Sequence, residues 1–182
     1  CIKRYQLFIT DKLAAAMQLP EQATASAALS LIRNERGNER MKAIEGSITS
    51  PKGYIGAGIK AGLKKSGKED LAMLVSEVPA SIGAVFTQNK MAAAPVIVSR
   101  RVVEKGIVRA LIVNAGCANA CTGQQGLVDA QSMVRMTAEL LAVPDDQVLV
   151  CSTGVIGQYL PMGKVAAGIK SVYGELAQEK GE

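Results

Sequence analysis

The chain has 182 residues, of which 48% are hydrophobic and 20% are charged, and its formal net charge is +5. These values fit a globular domain with a buried core and exclude a disordered chain. Aromatic residues make up only 3% and Trp is absent, which argues against nucleic-acid modules that stack bases on aromatic side chains.

Residues 1–40 differ in composition from the rest of the chain. They begin at Cys1, contain Ala-rich pieces separated by "LPEQ", and end in the polar run "RNERGNER". This run has no apolar periodicity, so we predict that the natural start is Met41 and that residues 1–40 are non-native or appended. The alternative is a genuine helical N-terminal extension. Residues 41–182 then form the main domain.

From Met41 onward the pattern predicts a mixed α/β domain. Short branched apolar runs predict strands at residues 71–76, 84–86, 96–99 (entering a short helix) and 108–116, and at "DDQVLV". Apolar positions at 3.6-residue spacing predict a helix over "GLVDAQSMVRMTAELLAV", which Pro144 ends. A final helix is predicted over "PMGKVAAGIKSVYGELAQEK", with Pro161 in its first turn.

The residue types that are missing restrict the chemistry. The sequence contains no His, and its four cysteines form no C-x-x-C pair. Zinc sites with His ligands are excluded, and a site made only of Cys lacks the usual spacing. A serine or cysteine nucleophile has no imidazole base, so covalent catalysis would need a Lys or a free α-amine. Dispersed thiols and the absence of a long apolar run predict a cytoplasmic protein with no membrane partner.

The stretch "GYIGAGIKAG" contains Gly-x-Gly-x-x-x-Gly, which weakly suggests dinucleotide binding and an oxidoreductase. That fingerprint requires a preceding strand and a following amphipathic helix. Here "SPKG" precedes the glycines and "LKKSGKED" follows them. We therefore predict a flexible glycine-rich hairpin or loop.

Two further stretches, "NAGCANACTGQQG" and "STGVIG", each follow a predicted strand and precede a predicted helix. In the first, Asn and Gly either present polar groups at a cleft or only supply unusual dihedral angles and helix caps. In the second, the hydroxyl of Thr153 and the N–H of Gly154 could converge on a negatively charged oxygen at a turn. Ser152 or Thr153 as a nucleophile is disfavoured because no base lies nearby in the sequence.

Four blocks in this order resemble the glutamate N-acetyltransferase/ornithine acetyltransferase family of arginine biosynthesis. They are "SPKGYIGAGIKAG", "DLAMLVSEVPASIGAVFTQNKMAAAPVIVSR", "ALIVNAGCANACTGQQG" and "QVLVCSTGVIGQYLPMGKV". The resemblance covers roughly residues 50–182, and the combination of "NACTG" with "STGVIG-x-x-LPM" is its most specific part.

The resemblance implies a layered α/β/β/α fold made from two chains. The family's precursor cleaves itself at an Ala-Thr bond, and the new N-terminal Thr of the β chain takes the acetyl group from N-acetylornithine and passes it to glutamate. Thr153 and Gly154 match the family's oxyanion-hole pair. This chemistry needs no His and no bound cofactor, and it leaves acetyl-CoA open as a second acetyl donor. The implied assembly is an α2β2 heterotetramer.

The sequence departs from the family pattern at two points. It stops before the family's "IMTTDT"-like segment, its substrate-binding Lys and its nucleophilic Thr, and Cys117 stands where many members carry Asn. We therefore expect an N-terminal α-chain portion that is inactive alone and whose fold is incomplete without the β chain. The alternatives are a non-catalytic truncated fragment and an α/β module that binds a small ligand.

Overall fold

The computed structural model describes residues 46–178. The predicted N-terminal extension, residues 1–40, lies outside the described residues. The described part contains four strands and three helices in the order β1 (Tyr54–Ile59), β2 (Leu71–Ser81), α1 (Ala94–Val103), β3 (Ile107–Cys117), α2 (Gly123–Leu141), β4 (Val148–Val155) and α3 (Met162–Gly174). A 3-10 turn, Asp145–Gln147, leads into β4. The mixed α/β class predicted from the sequence is confirmed.

The four strands form one sheet in the order β1-β2-β3-β4. Strand β2 pairs antiparallel with both β1 and β3, whereas β3 and β4 pair in parallel. Helix α2 makes the crossover connection that a parallel pair requires. The carboxyl ends of β3 and β4 therefore lie side by side at one edge of the sheet.

The three helices pack on one face of the sheet and enclose the core. The fully buried side chains there are aliphatic or sulfur-containing, as expected for a chain with few aromatics: Leu71, Met73, Ile112, Met133, Val148, Val150, Val165, Ile169 and Val172. Since strand side chains alternate between faces, the neighbouring positions form a second face. It carries the partly buried Ala72, Leu111, Val113 and Ala115, which lie outside this core cluster.

Two strand predictions are wrong. Residues 84–86 form no strand, and residues 96–99 lie inside helix α1. Pro95 opens this helix, and burial at Val98, Ser99 and Val102 follows helical spacing, so packing outweighs the strand preference of valine. The Ser99 hydroxyl also fastens the helix to β4, because it donates to the Val150 carbonyl at 2.7 Å and accepts from the Val150 N–H at 3.0 Å.

Two glycine-containing segments also differ from their predicted structure. The stretch predicted as a flexible hairpin or loop supplies strand β1, in which Gly56 and Gly58 pair with Leu74 and Ala72. No helix follows β1 before β2, so the context of a dinucleotide-binding fingerprint is absent from this part of the structure. Strand β4 continues to Val155, so Thr153 and Gly154 lie in a strand rather than in the turn that the sequence suggested.

Candidate functional site at the ends of strands β3 and β4

Thr153 and Gly154 lie near the carboxyl end of β4 and are exposed. They align with Ala115 and Gly116 of β3 in the parallel pair. Since Val148 and Val150 point into the helix-covered core, alternation places Thr153 on the second face of the sheet. The carboxyl ends of parallel strands are a common location of ligand sites in α/β proteins.

The backbone approaches itself so closely here that two positions require glycine. Gly154 has φ +136°, and a Cβ added to it would lie 2.3 Å from the carbonyl carbon of Gly116 and 2.6 Å from the nitrogen of Cys117. Gly116 has φ +110°, and its added Cβ would lie 2.9 Å from the carbonyl oxygen of Leu63. Three segments of backbone therefore lie close together: residues 61–64 beside Gly116, and Gly116 beside Gly154 of the neighbouring strand. We call these segments together with Thr153 the strand-end site.

A buried carboxylate fixes the backbone of residues 61–64. Asp70, which is 3% exposed, accepts backbone N–H hydrogen bonds from Ala61 at 2.7 Å, Leu63 at 2.6 Å and Lys64 at 2.7 Å. Burial by itself raises the pKa of Asp70, but these three donors and the Lys64 charge together hold it below its ordinary value. Its own carbonyl accepts from the Ala115 N–H at 2.8 Å, which ties the loop to β3.

The segment after β3 is tied to the segment after β4. The Ala118 N–H donates to the Val155 carbonyl, and the Gly157 N–H donates to the Ala120 carbonyl, each at 2.9 Å. These bonds extend the β3–β4 contact beyond the sheet and hold the backbone on the C-terminal side of Gly154.

Two side-chain hydrogen bonds of Asn119 fix the loop that follows β3. Asn119 is fully buried with φ +46°, its amide donates to the Gly126 carbonyl at 2.8 Å, and its side-chain oxygen accepts from the Thr122 hydroxyl at 2.7 Å. Gly126 leaves room for both side chains, since an added Cβ would collide with them. Asn119 and Thr122 of "NACTG" thus fix the conformation of the loop and do not present an amide at a cleft. This is the second of the two roles that the sequence left open.

A second buried amide, Asn114, is the first residue of the stretch "NAGCANACTGQQG", for which the sequence left a cleft role and a structural role open. Its side-chain Nδ2 donates to the Cys117 carbonyl at 2.9 Å, and its register partner across the strands is Ser152. The Asn114 Oδ1 and the Ser152 Oγ are buried and have no hydrogen-bond partner among residues 46–178. The Ser152 hydroxyl therefore has no hydrogen bond to a base in this part of the chain, in line with the expectation that Ser152 is disfavoured as a nucleophile.

The remaining candidate groups add no chemistry to this site. Cys117 is buried and its thiol donates to the Gln158 carbonyl at 3.1 Å, whereas Cys151 is exposed. Within residues 46–178 no cluster of three or more His, Cys, Asp or Glu side chains is suited to a metal ion. The helices of that range are also too short or too polar to cross a membrane.

A model of the ArgJ family matches residues 56–182 of this sequence, well over half of the chain. The chain belongs to the ArgJ family. The arginine biosynthesis bifunctional protein ArgJ of Caldanaerobacter subterraneus subsp. tengcongensis is 48% identical over 141 residues, and that of Lactococcus lactis subsp. lactis is 46% identical over 141 residues. Each alignment covers 78% of this chain but only 35% and 34% of the relative. The chain thus spans about a third of the length of the curated ArgJ relatives that it matches.

Two solved structures of ArgJ-type proteins share the fold. The ornithine acetyltransferase of Mycobacterium tuberculosis, complexed with ornithine, matches with a TM-score of 0.71 and 40% identity over 74% of this chain and 74% of that chain. The ArgJ protein of Bacillus halodurans matches with a TM-score of 0.68 and 44% identity over 75% of this chain and 71% of that chain. The recognition made from the sequence blocks is therefore confirmed, together with the mixed α/β fold.

Proposed function

We propose that this chain is the α-chain part of an enzyme that transfers an acetyl group from N-acetylornithine to glutamate, and that Thr153 and Gly154 form its oxyanion hole. The observation that carries the proposal is the strand-end site. It presents an exposed hydroxyl next to a glycine whose backbone is held by close packing. Donors fixed in advance at the point where negative charge develops are the strongest common device in acyl transfer.

Membership of the ArgJ family supplies the reaction class. The curated relatives are named as bifunctional proteins of arginine biosynthesis, and one structural neighbour holds ornithine. Ornithine is the product that remains when N-acetylornithine loses its acetyl group. These names support ornithine-type substrates for the complete protein.

The nucleophile in this proposal is the N-terminal Thr of a β chain cut from the same precursor. Its hydroxyl oxygen attacks the acetyl carbonyl of N-acetylornithine, and the proton passes to the free α-amine of the same Thr. The C–N bond then breaks, and ornithine leaves with the proton. The amine of glutamate next attacks the acetyl-threonine ester, its proton passes through the Thr α-amine to the departing Thr oxygen, and N-acetylglutamate leaves. Both steps pass through a tetrahedral oxyanion, to which Thr153 and Gly154 each donate one hydrogen bond.

The second face of the sheet supports a β-chain partner. It carries small and branched apolar side chains at Ala72, Leu111 and Val113, and Thr153 lies on the same face. A β-chain sheet packed there would complete the α/β/β/α layers and bring its N-terminal Thr towards Thr153. Two such pairs would form the α2β2 assembly.

The relative lengths of the matched proteins also support a two-chain enzyme. The alignment with the M. tuberculosis structure covers the same 74% of both chains, so that chain is about as long as this one. A curated relative of full length is covered to only 35%. The proposed enzyme acts in the cytoplasm without a bound cofactor, and acetyl-CoA remains a candidate second acetyl donor.

The test is Thr153→Ala in the complete enzyme, assayed for transfer from N-acetylornithine to glutamate. Because the lost donor acts mainly in the transition state, kcat should fall roughly 10²–10³-fold while KM changes much less. Thr153→Ser keeps a hydroxyl and serves as the matched control, with much of the rate retained. A rise in KM with unchanged kcat would make Thr153 a ground-state contact and remove it from the oxyanion hole.

A further inference from the structure

A buried polar pair lies beside the strand-end site and is not accounted for by the reaction just described. Asn114 is fully buried, and its Oδ1 has no hydrogen-bond partner among residues 46–178. Ser152, its register partner on β4, has a buried hydroxyl in the same condition. Buried polar atoms are normally paired, and an unpaired one destabilises the fold. An apolar side chain at position 114 would therefore suit the core better, and this amide needs an explanation other than stability.

The hydrogen bond made by the Asn114 side-chain nitrogen supplies that explanation. The Asn114 Nδ2 donates to the carbonyl of Cys117, three residues further along the chain, at 2.9 Å. This bond holds the carbonyl of Cys117, the residue that follows Gly116, and so restrains the backbone on the C-terminal side of the Gly116–Cys117 peptide. That peptide is the surface against which Gly154 packs, since a Cβ on Gly154 would lie 2.3–2.6 Å from its atoms.

Gly154 has no side chain, so only its backbone neighbours determine where its N–H lies. The Gly116–Cys117 peptide supports it on one side, and the hydrogen bond from the Ala118 N–H to the Val155 carbonyl holds the next residue at 2.9 Å. A shift of the supporting peptide would move Gly154 with it, because the two are already in close contact.

We propose that Asn114 is a positioning residue for acetyl transfer, because its amide holds the Cys117 carbonyl directly after the Gly116–Cys117 peptide, and that peptide sets the position of the Gly154 N–H. This inference rests on the proposed function of Thr153 and Gly154. Asn114 itself touches neither substrate nor the reacting atoms; it acts through the backbone of β3.

The experiment replaces Asn114 by Val in the complete enzyme and measures kcat, KM and the thermal midpoint. A displaced donor weakens stabilisation of the transition state more than substrate binding, so kcat should fall roughly 10–100-fold with KM within about threefold of wild type. The thermal midpoint should fall by only a few degrees, because loss of the unpaired oxygen offsets part of the cost of leaving the Cys117 carbonyl without its donor.

Thr137→Val is the matched control. Thr137 is also fully buried, and its hydroxyl also has no hydrogen-bond partner in the described range. It lies in α2, fourteen residues after Gly123, which places it about 20 Å along the helix axis from the end that follows β3. Removing this hydroxyl should leave kcat at the wild-type value.

The outcomes separate this inference from the function on which it rests. If Thr153→Ala impairs kcat while Asn114→Val keeps the wild-type kcat, the positioning role is wrong and the oxyanion hole stands. If Thr153→Ala keeps full activity, both are wrong. Three results would show that Asn114 has a structural role instead. The Asn114→Val enzyme does not fold, its KM rises while kcat is unchanged, or its kcat falls no more than that of Thr137→Val.

Discussion

The helix-covered core and the strand-end site are built on the same two strands but are held together by different contacts. In the core, aliphatic side chains such as Ile112 and Val150 fill the space between sheet and helices. At the strand ends, the neighbouring backbones of β3 and β4 meet at Gly116 and Gly154, where an added Cβ on Gly154 would collide with the backbone of β3. The side chains around a deleted methyl group relax in part, whereas a Cβ added at a backbone contact forces the backbone itself to move. The side-chain core and the proposed donor site thus occupy separate parts of one sheet.

The sharpest test of this comparison is Gly154→Ala in the complete enzyme. The new Cβ meets the Gly116–Cys117 peptide, and the φ of +136° is itself unfavourable for alanine, so the strand end must move. We expect kcat to fall by roughly 10²-fold or more. Gly163→Ala is the control, because its Cβ meets nothing within 4 Å and alanine favours helix α3. Equal activity of the two variants would contradict the close-packed description.

The core should respond in the opposite way to Ile112→Ala. Ile112 is completely buried in the core, so its truncation to Ala should lower the free energy of unfolding by about 2–5 kcal/mol. The folded fraction should nevertheless retain kcat within about twofold, since no donor moves at the strand ends. Chemical denaturation and steady-state kinetics on the same samples check this. A large kcat loss in fully folded protein would show that core and site are not separable.

Asp70 joins the two regions, and its replacement by Asn should have an intermediate effect. Losing a charged acceptor of three backbone N–H groups should cost about 2 kcal/mol at neutral pH. Because the pKa of Asp70 is below its ordinary value in the folded protein, its stabilisation is present above the unfolded pKa near 3.8 and is lost as the pH falls through the folded pKa. The gap between wild type and variant should therefore narrow below about pH 4.

Denaturation curves at a series of pH values measure this gap directly. Asp146→Asn is the control, since Asp146 is exposed in the turn before β4 and its replacement should change stability little. A gap for Asp70→Asn that stays constant down to pH 2 would mean that its charge is not what holds residues 61–64.

The smallest effect is expected from deleting residues 1–40. The family-like sequence begins after residue 40, and the core cluster of the described residues is formed by residues between 55 and 176, so the thermal midpoint should change by no more than about 2 °C. Differential scanning calorimetry of the two forms checks this. A clear drop would show that the segment is structural and would favour a genuine N-terminal extension.

The sequence was most informative where side chains follow a strong period. The helical spacing of Leu127, Met133 and Val134 predicts α2, and the branched run before Asn114 predicts β3. Residues 96–99 were mispredicted because three of the four are apolar and strand-favouring, whereas the structure buries them at helical spacing against β4. Periodicity over four residues cannot separate these two outcomes.

The site was only partly predictable for a physical reason. The pattern "STGVIG" pointed to Thr153 and Gly154. The sequence alone does not distinguish a glycine required by a turn from a glycine required by a close backbone contact. Asp70 lies in the charged stretch "GKED", which resembles a solvated surface loop, although its carboxylate is buried among N–H groups. Asn114 belongs to the stretch "NAGCANACTGQQG", but only its place inside an apolar strand, where a polar residue is out of pattern, separates it from the loop residues that follow.

The contact between Gly116 and Gly154 also has a genetic consequence. Every missense change of a glycine codon introduces a Cβ, so each one brings the same carbon atom against the same backbone. A saturation library at position 154 should therefore give a uniformly low activity profile that does not grade with the size or polarity of the new residue. At Ile112 the profile should instead decline step by step as the side chain departs from its native volume.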